Sequence, residues 1–132
     1  MHIIICSKSP MLVDAVSLAF RSREPRLTVC ESGLEALGAV EVVDTDLLVL
    51  DMQTPGLNGL LITSAVRELA PGLPILAVSA KPEEDARAFS HKGVSLARVL
   101  SDPSADAQAL VAALAQIGEM SGIGVASDGA SR

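Results

Sequence analysis

The sequence predicts an α/β fold, a doubly wound sheet of five parallel strands with helices on both faces. Short aliphatic runs alternate five times with amphipathic stretches. Several of the runs are continuously apolar, as expected for strands covered on both sides. The connections are short, and strict β/α alternation with short connections closes into one parallel sheet through right-handed crossovers.

The elements follow in order. Residues 2–6 (His-Ile-Ile-Ile-Cys) form the first strand. Ser9 and Pro10 supply an N-cap and a first-turn proline, which opens a helix over 10–23. A second strand over 27–30 precedes a helix over 34–40. The run Leu47-Leu-Val-Leu50 is the third strand, and a helix over 59–69 stops before Pro71-Gly72. The fourth strand covers 75–79. Lys81-Pro82-Glu83-Glu84 then places proline and acids in the first turn of a helix over 82–92, closed by Gly93. The fifth strand covers 96–100, and Ser104 caps a last helix over 105–119. Residues 1–119 make one domain, and 120–132, rich in Gly and Ser, are read as a flexible tail.

Composition narrows the function. The chain has 132 residues, 49% hydrophobic and 20% charged, which suits one globular domain and excludes disorder over most of its length. Ten basic against sixteen acidic residues give a net charge of -6, which argues against a grip on a phosphate backbone. With no Trp or Tyr, and only Phe20 and Phe89 as aromatics, base stacking is disfavoured as well. No apolar run has the length of a membrane span, so the expected location is cytoplasmic, with no direct contact to nucleic acid or membrane. Cys6 and Cys30 are read first as buried core thiols; the sharper alternative is a redox pair between neighbouring strands, which a cytoplasmic setting disfavours. His2 and His91 lack neighbouring ligands, and Glu83-Glu84-Asp85 complements a helix dipole more readily than it binds a metal.

In doubly wound sheets function gathers beyond the carboxyl ends of the strands. Asp51 follows the third strand directly and leads into Met52-Gln-Thr-Pro-Gly-Leu-Asn-Gly59, a loop shaped by Pro55 and Gly59. Ser79-Ala80 ends the fourth strand. Together with Ser9-Pro10 and with Gly93 before the fifth strand, this order and spacing over residues 1–119 resembles the receiver domain of bacterial response regulators, a CheY-like fold. The resemblance implies a strand order of 2-1-3-4-5. It makes Asp51 the phosphoacceptor position, served by a partner histidine kinase, and Ser79 the hydroxyl of the site. It also implies a magnesium ion held by an acidic pair after the first strand, and a lysine after the fifth.

The sequence departs from that pattern where the chemistry is concentrated. Ser7 and Lys8 stand where the family has its acidic pair, and the lysine position falls at about Ser101. No aromatic residue lies near Ala97 or Arg98, where the family has its switch residue. Magnesium is usually held by carboxylates together with waters and phosphate oxygens. Here Asp51 brings one negative charge, Lys8 one positive charge, and Ser7 and Ser101 none. Magnesium binding is therefore expected to be weak or absent, no other cofactor is implied, and Lys8 is expected to pair with Asp51 in place of the metal.

The first helix places Met11, Leu12, Val13, Val16, Leu18 and Phe20 around most of its circumference, and the last contains the apolar run 109–115. A surface helix ordinarily buries a single stripe. In a receiver-like fold these two helices lie on one face of the sheet, so Met11, Val13, Leu18 and Val111 are candidates for a protein interface, including a homodimer. The reading that results is a non-enzymatic, atypical single-domain response regulator, a pseudo-receiver acting through protein contacts with little dependence on phosphorylation. Its partner is expected to be a histidine kinase or another regulator. The alternatives are a genuine phosphorelay receiver that uses Asp51 and, in a different class, a flavin or nucleotide binder. The last would need a glycine- or hydroxyl-rich phosphate loop after the first strand; Ser7-Lys8-Ser9-Pro10 has hydroxyls but no glycine, and there is no Trp or Tyr to cover a flavin ring.

Overall fold

The computed structural model describes residues 1–78 apart from Gln53, Pro55 and Leu57, and the backbone alone of Leu60. The expected elements over 82–92, 96–100 and 105–119 and the tail over 120–132 lie outside the described residues. Among the described residues, four parallel strands form one sheet: β1 (His2–Cys6), β2 (Arg26–Cys30), β3 (Leu47–Asp51) and β4 (Ile75–Val78), in the order β2-β1-β3-β4. Three helices connect them: α1 (Pro10–Ala19), α2 (Gly33–Val42) and α3 (Gly59–Leu69). The parallel α/β sheet is the one expected from the alternation, and the order β2-β1-β3-β4 agrees with the order that the resemblance implied for these strands.

The aliphatic runs are continuous because both faces of the sheet are covered. Successive side chains of a strand point to opposite faces. Ile3 and Ile5 of β1, with Leu47 and Val49 of β3, thus join Leu12, Val16 and Phe20 in a core under α1. Ile4 and Cys6, with Leu48 and Leu50, join Cys30, Ala36, Val40, Ile62 and Val66 in a second core under α2 and α3. β3 is buried along its whole length. β2, with one strand neighbour, leaves Arg26 and Val29 exposed.

Each helix starts on a side-chain cap. The Ser9 hydroxyl accepts from the Leu12 amide at 3.3 Å, with Pro10 in the first turn. Ser32 accepts from the Glu35 amide at 3.1 Å, while the Glu35 carboxylate turns back to the Glu31 amide at 2.8 Å, a form of capping box. Asn58 accepts from the Leu61 amide at 3.1 Å. α3 ends differently: Arg67 reaches past the helix end and donates from Nη1 to the carbonyls of Leu73 at 2.6 Å and Pro71 at 3.3 Å.

Two expectations about the first helix change. The stretch 10–23 is not one helix, because α1 ends at Ala19 and a 3-10 turn over Arg21–Arg23 follows. Glu24 then enters the left-handed region at φ 47, which turns the chain toward β2. The apolar wrap of this helix is also smaller than expected. Leu12, Val16 and Phe20 are buried, Val13 is half-buried against the core, and Met11 and Leu18 remain exposed at 37% and 50%. Phe20, the C-cap residue of α1, is fully buried in the core beneath the helix.

Candidate functional site at the carboxyl edge of the sheet

β1 and β3 are adjacent, with Ile5 in register with Val49 and Cys6 with Leu50. One step further, the same register sets Ser7 beside Asp51. Ser7 shares the parity of Ile3 and Ile5, and Asp51 that of Leu47 and Val49, so both side chains leave the strands toward the same face. The Ser7 hydroxyl donates to Asp51 Oδ2 at 2.6 Å. Its oxygen in turn accepts from the Ser9 amide at 2.9 Å, and the Ser7 amide donates to the Cys30 carbonyl at 2.9 Å. Ser7 and Asp51 are both buried, at 1% and 6% exposure.

The described residues of the loop after β3 are tied back to the strand ends. The Thr54 amide donates to the Asp51 carbonyl at 3.0 Å, and the Thr54 hydroxyl reaches the Cys6 carbonyl at 3.4 Å. The Met52 amide donates to the Val78 carbonyl at 2.8 Å, which ties the loop to β4. Gly56, at φ 77, takes the left-handed turn that a side chain would resist. Gly59, where the loop ends, is the buried first residue of α3, as expected for that helix, behind the Asn58 cap.

The sequence pointed to Lys8 as the partner of Asp51. Lys8 has the opposite parity and its side chain is exposed, and a donor that meets the carboxylate is the Ser7 hydroxyl. Thr54, which the sequence reading passed over, is buried at the same edge; a hydroxyl three residues past the end of an apolar strand was its only signal. Ser79, Ser101, Pro55 and Val111 lie outside the described residues. Among the described residues no group of three or more His, Cys, Asp or Glu is placed to hold a metal ion, and no helix is long and apolar enough to cross a membrane. Beside the site, burial pushes the Cys6 thiol up to about 11, with smaller contributions from the negative charges of Cys30, Asp51 and Glu35.

A buried aspartate thus stands at the mouth of an inner parallel strand, followed by a loop that turns at Gly56. The model of the response regulator receiver domain matches residues 3–115, and the chain belongs to that family. Among curated proteins, the probable transcriptional regulatory protein TcrX of Mycobacterium tuberculosis is 32% identical over 79 residues, 60% of this chain and 34% of that protein. The DNA-binding response regulator MtrA of Mycolicibacterium smegmatis is 30% identical over 82 residues, 62% of this chain and 36% of that protein. The chain thus spans about a third of the length of these relatives. Among solved structures, a putative response regulator from Chloroflexus aurantiacus is 25% identical with a TM-score of 0.67, covering 88% of this chain and 95% of that one. The receiver domain of the TMAO respiratory response regulator TorR superposes with a TM-score of 0.66 at 22% identity, covering 90% and 97%.

Proposed function

We propose that this chain is an atypical receiver, a signalling module that works through protein contacts with little or no dependence on phosphorylation of Asp51. The observation that carries this reading is the Ser7 hydroxyl bonded to the Asp51 carboxylate. A neutral donor stands where the family's metal chemistry calls for an acid, and Lys8 adds a positive charge one residue on. The donor set does not fit magnesium, which favours carboxylates completed by waters and phosphate oxygens. Phosphoryl transfer relies on positioning and on cations that offset the developing charge, and a hydroxyl supplies no such charge.

The test is the intact mass after incubation with magnesium and acetyl phosphate, with an Asp51→Asn chain alongside. The expected result is no phosphoryl adduct on either. An adduct on the unaltered chain alone would establish the conventional phosphorelay reading instead.

The partner is proposed to be a protein, either a histidine kinase or another regulator, and a second copy of this chain is included. Met11 and Leu18, seven residues apart on one side of α1, are exposed apolar residues, whereas Val13 is half-buried against the core. Leu18 is the better probe, because its side chain can be changed without opening the core. Leu18→Glu is expected to weaken self-association in sedimentation velocity; an unchanged profile would count against this face.

A further inference from the structure

We propose that Cys6 and Cys30 form an oxidisable dithiol, which a hydroperoxide converts to an intrachain disulfide joining β1 to β2 next to Asp51. The two cysteines are in register, Cys6 opposite Cys30, as the last pair of the β1–β2 ladder. Both belong to the core under α2 and α3, so the side chains leave the sheet on the same face. The Ser7 amide donates to the Cys30 carbonyl at 2.9 Å and holds the two strand ends together at this point. Both thiols are free.

Neighbouring strands lie about 4.7–4.9 Å apart. That falls inside the Cα separation of about 4.4–6.8 Å found across disulfides, but exceeds the Cβ separation of about 3.5–4.5 Å that the bond prefers. Closure therefore requires the strands to draw together slightly. β2 can yield, because among the described residues only β1 pairs with it and Arg26 and Val29 are exposed. A bond made under such strain is easily reduced again, the behaviour of regulatory rather than structural disulfides.

The chemistry balances with the peroxide as oxidant. The Cys30 thiolate attacks one peroxide oxygen; an S–O bond forms, the O–O bond breaks, and the departing hydroxide takes up the thiol proton as water. The Cys6 sulfur then attacks the sulfenic sulfur of Cys30; the S–S bond forms, the S–O bond breaks, and a second water leaves with the Cys6 proton. Two thiols are oxidised and one peroxide is reduced. Burial holds both thiols above their ordinary range, so the thiolate is scarce at neutral pH and the reaction is slow there, accelerating as pH rises. This slowness suits a response to sustained oxidation.

The experiment treats the reduced full chain with hydrogen peroxide at mildly alkaline pH. The peroxide is then removed, the chain unfolded, free thiols alkylated, and the intact mass and peptide map recorded. The expected product is two hydrogens lighter, takes up no alkylating agent, and yields a Cys6–Cys30 linked peptide. Cys6→Ser and Cys30→Ser should each abolish that species and instead show oxygen addition at the remaining cysteine or linkage between chains. Exposed Met11 serves as an internal clock. If Met11 has become the sulfoxide while both thiols still alkylate, the proposal fails. It also fails if the two thiols of the unaltered chain take up oxygen independently.

Discussion

Phe20→Ala is expected to destabilise the chain by about 3–5 kcal/mol, the range for truncating a fully buried aromatic side chain. Phe20 has no exposed surface and sits where α1 ends, its amide still donating to the Val16 carbonyl at 3.1 Å. It packs in the core with Ile3, Ile5 and Leu47. The cavity left by alanine would lie between rigid strands and the last turn of α1, and neither can collapse into it without loosening the other. Domains of this size are stable by only about 5–15 kcal/mol, so the loss would be a large share of the total. Urea unfolding measures it; a decrease below about 1 kcal/mol would show that the ring does not fill the space under α1.

Ser7→Ala is expected to cost about 1–3 kcal/mol, because it removes a donor from a buried carboxylate and an acceptor from the Ser9 amide in one step. Ser7→Asp makes the complementary test. A second carboxylate beside Asp51 should lower stability in metal-free buffer through like-charge repulsion, and magnesium should restore part of the loss. The unaltered chain should show little response to magnesium in the same thermal melts. Stability unchanged within about 0.5 kcal/mol in Ser7→Ala would remove the hydrogen bond from the account of the site.

Much of the fold was legible because the sequence states it twice, in apolar periodicity and in its punctuation. β1 and α3 have the expected bounds, and β3 extends one residue further to include Asp51. The aliphatic runs mark the strands, and Ser9, Pro10 and the Pro71-Gly72 pair mark helix limits. The end of α1 was less legible, since Arg21, Ser22 and Arg23 are as compatible with a helix as with the 3-10 turn they form. What ends α1 is the burial of Phe20, a tertiary effect.

The position of Asp51 could be read from the strand it follows, but its partner was misread. Formal charge drew attention to Lys8, whereas the strand register selects Ser7. Carrying the period of two one step beyond Ile5 and Val49 brings the serine and the aspartate face to face, while Lys8 is exposed. Geometry outranks charge here because a side chain leaving a strand end keeps the strand's direction for at least one more residue.

The Ser7 hydroxyl has a single proton, and that proton is committed to Asp51 while the Ser9 amide occupies the oxygen. Protonation of the carboxylate would weaken the first bond, because a neutral carboxyl oxygen is a poorer acceptor, and would leave the Ser7 oxygen a weaker acceptor for the amide of the residue that caps α1. Two hydrogen bonds that meet on one hydroxyl thus couple the charge of Asp51 at the end of the third strand to the N-cap of the first helix.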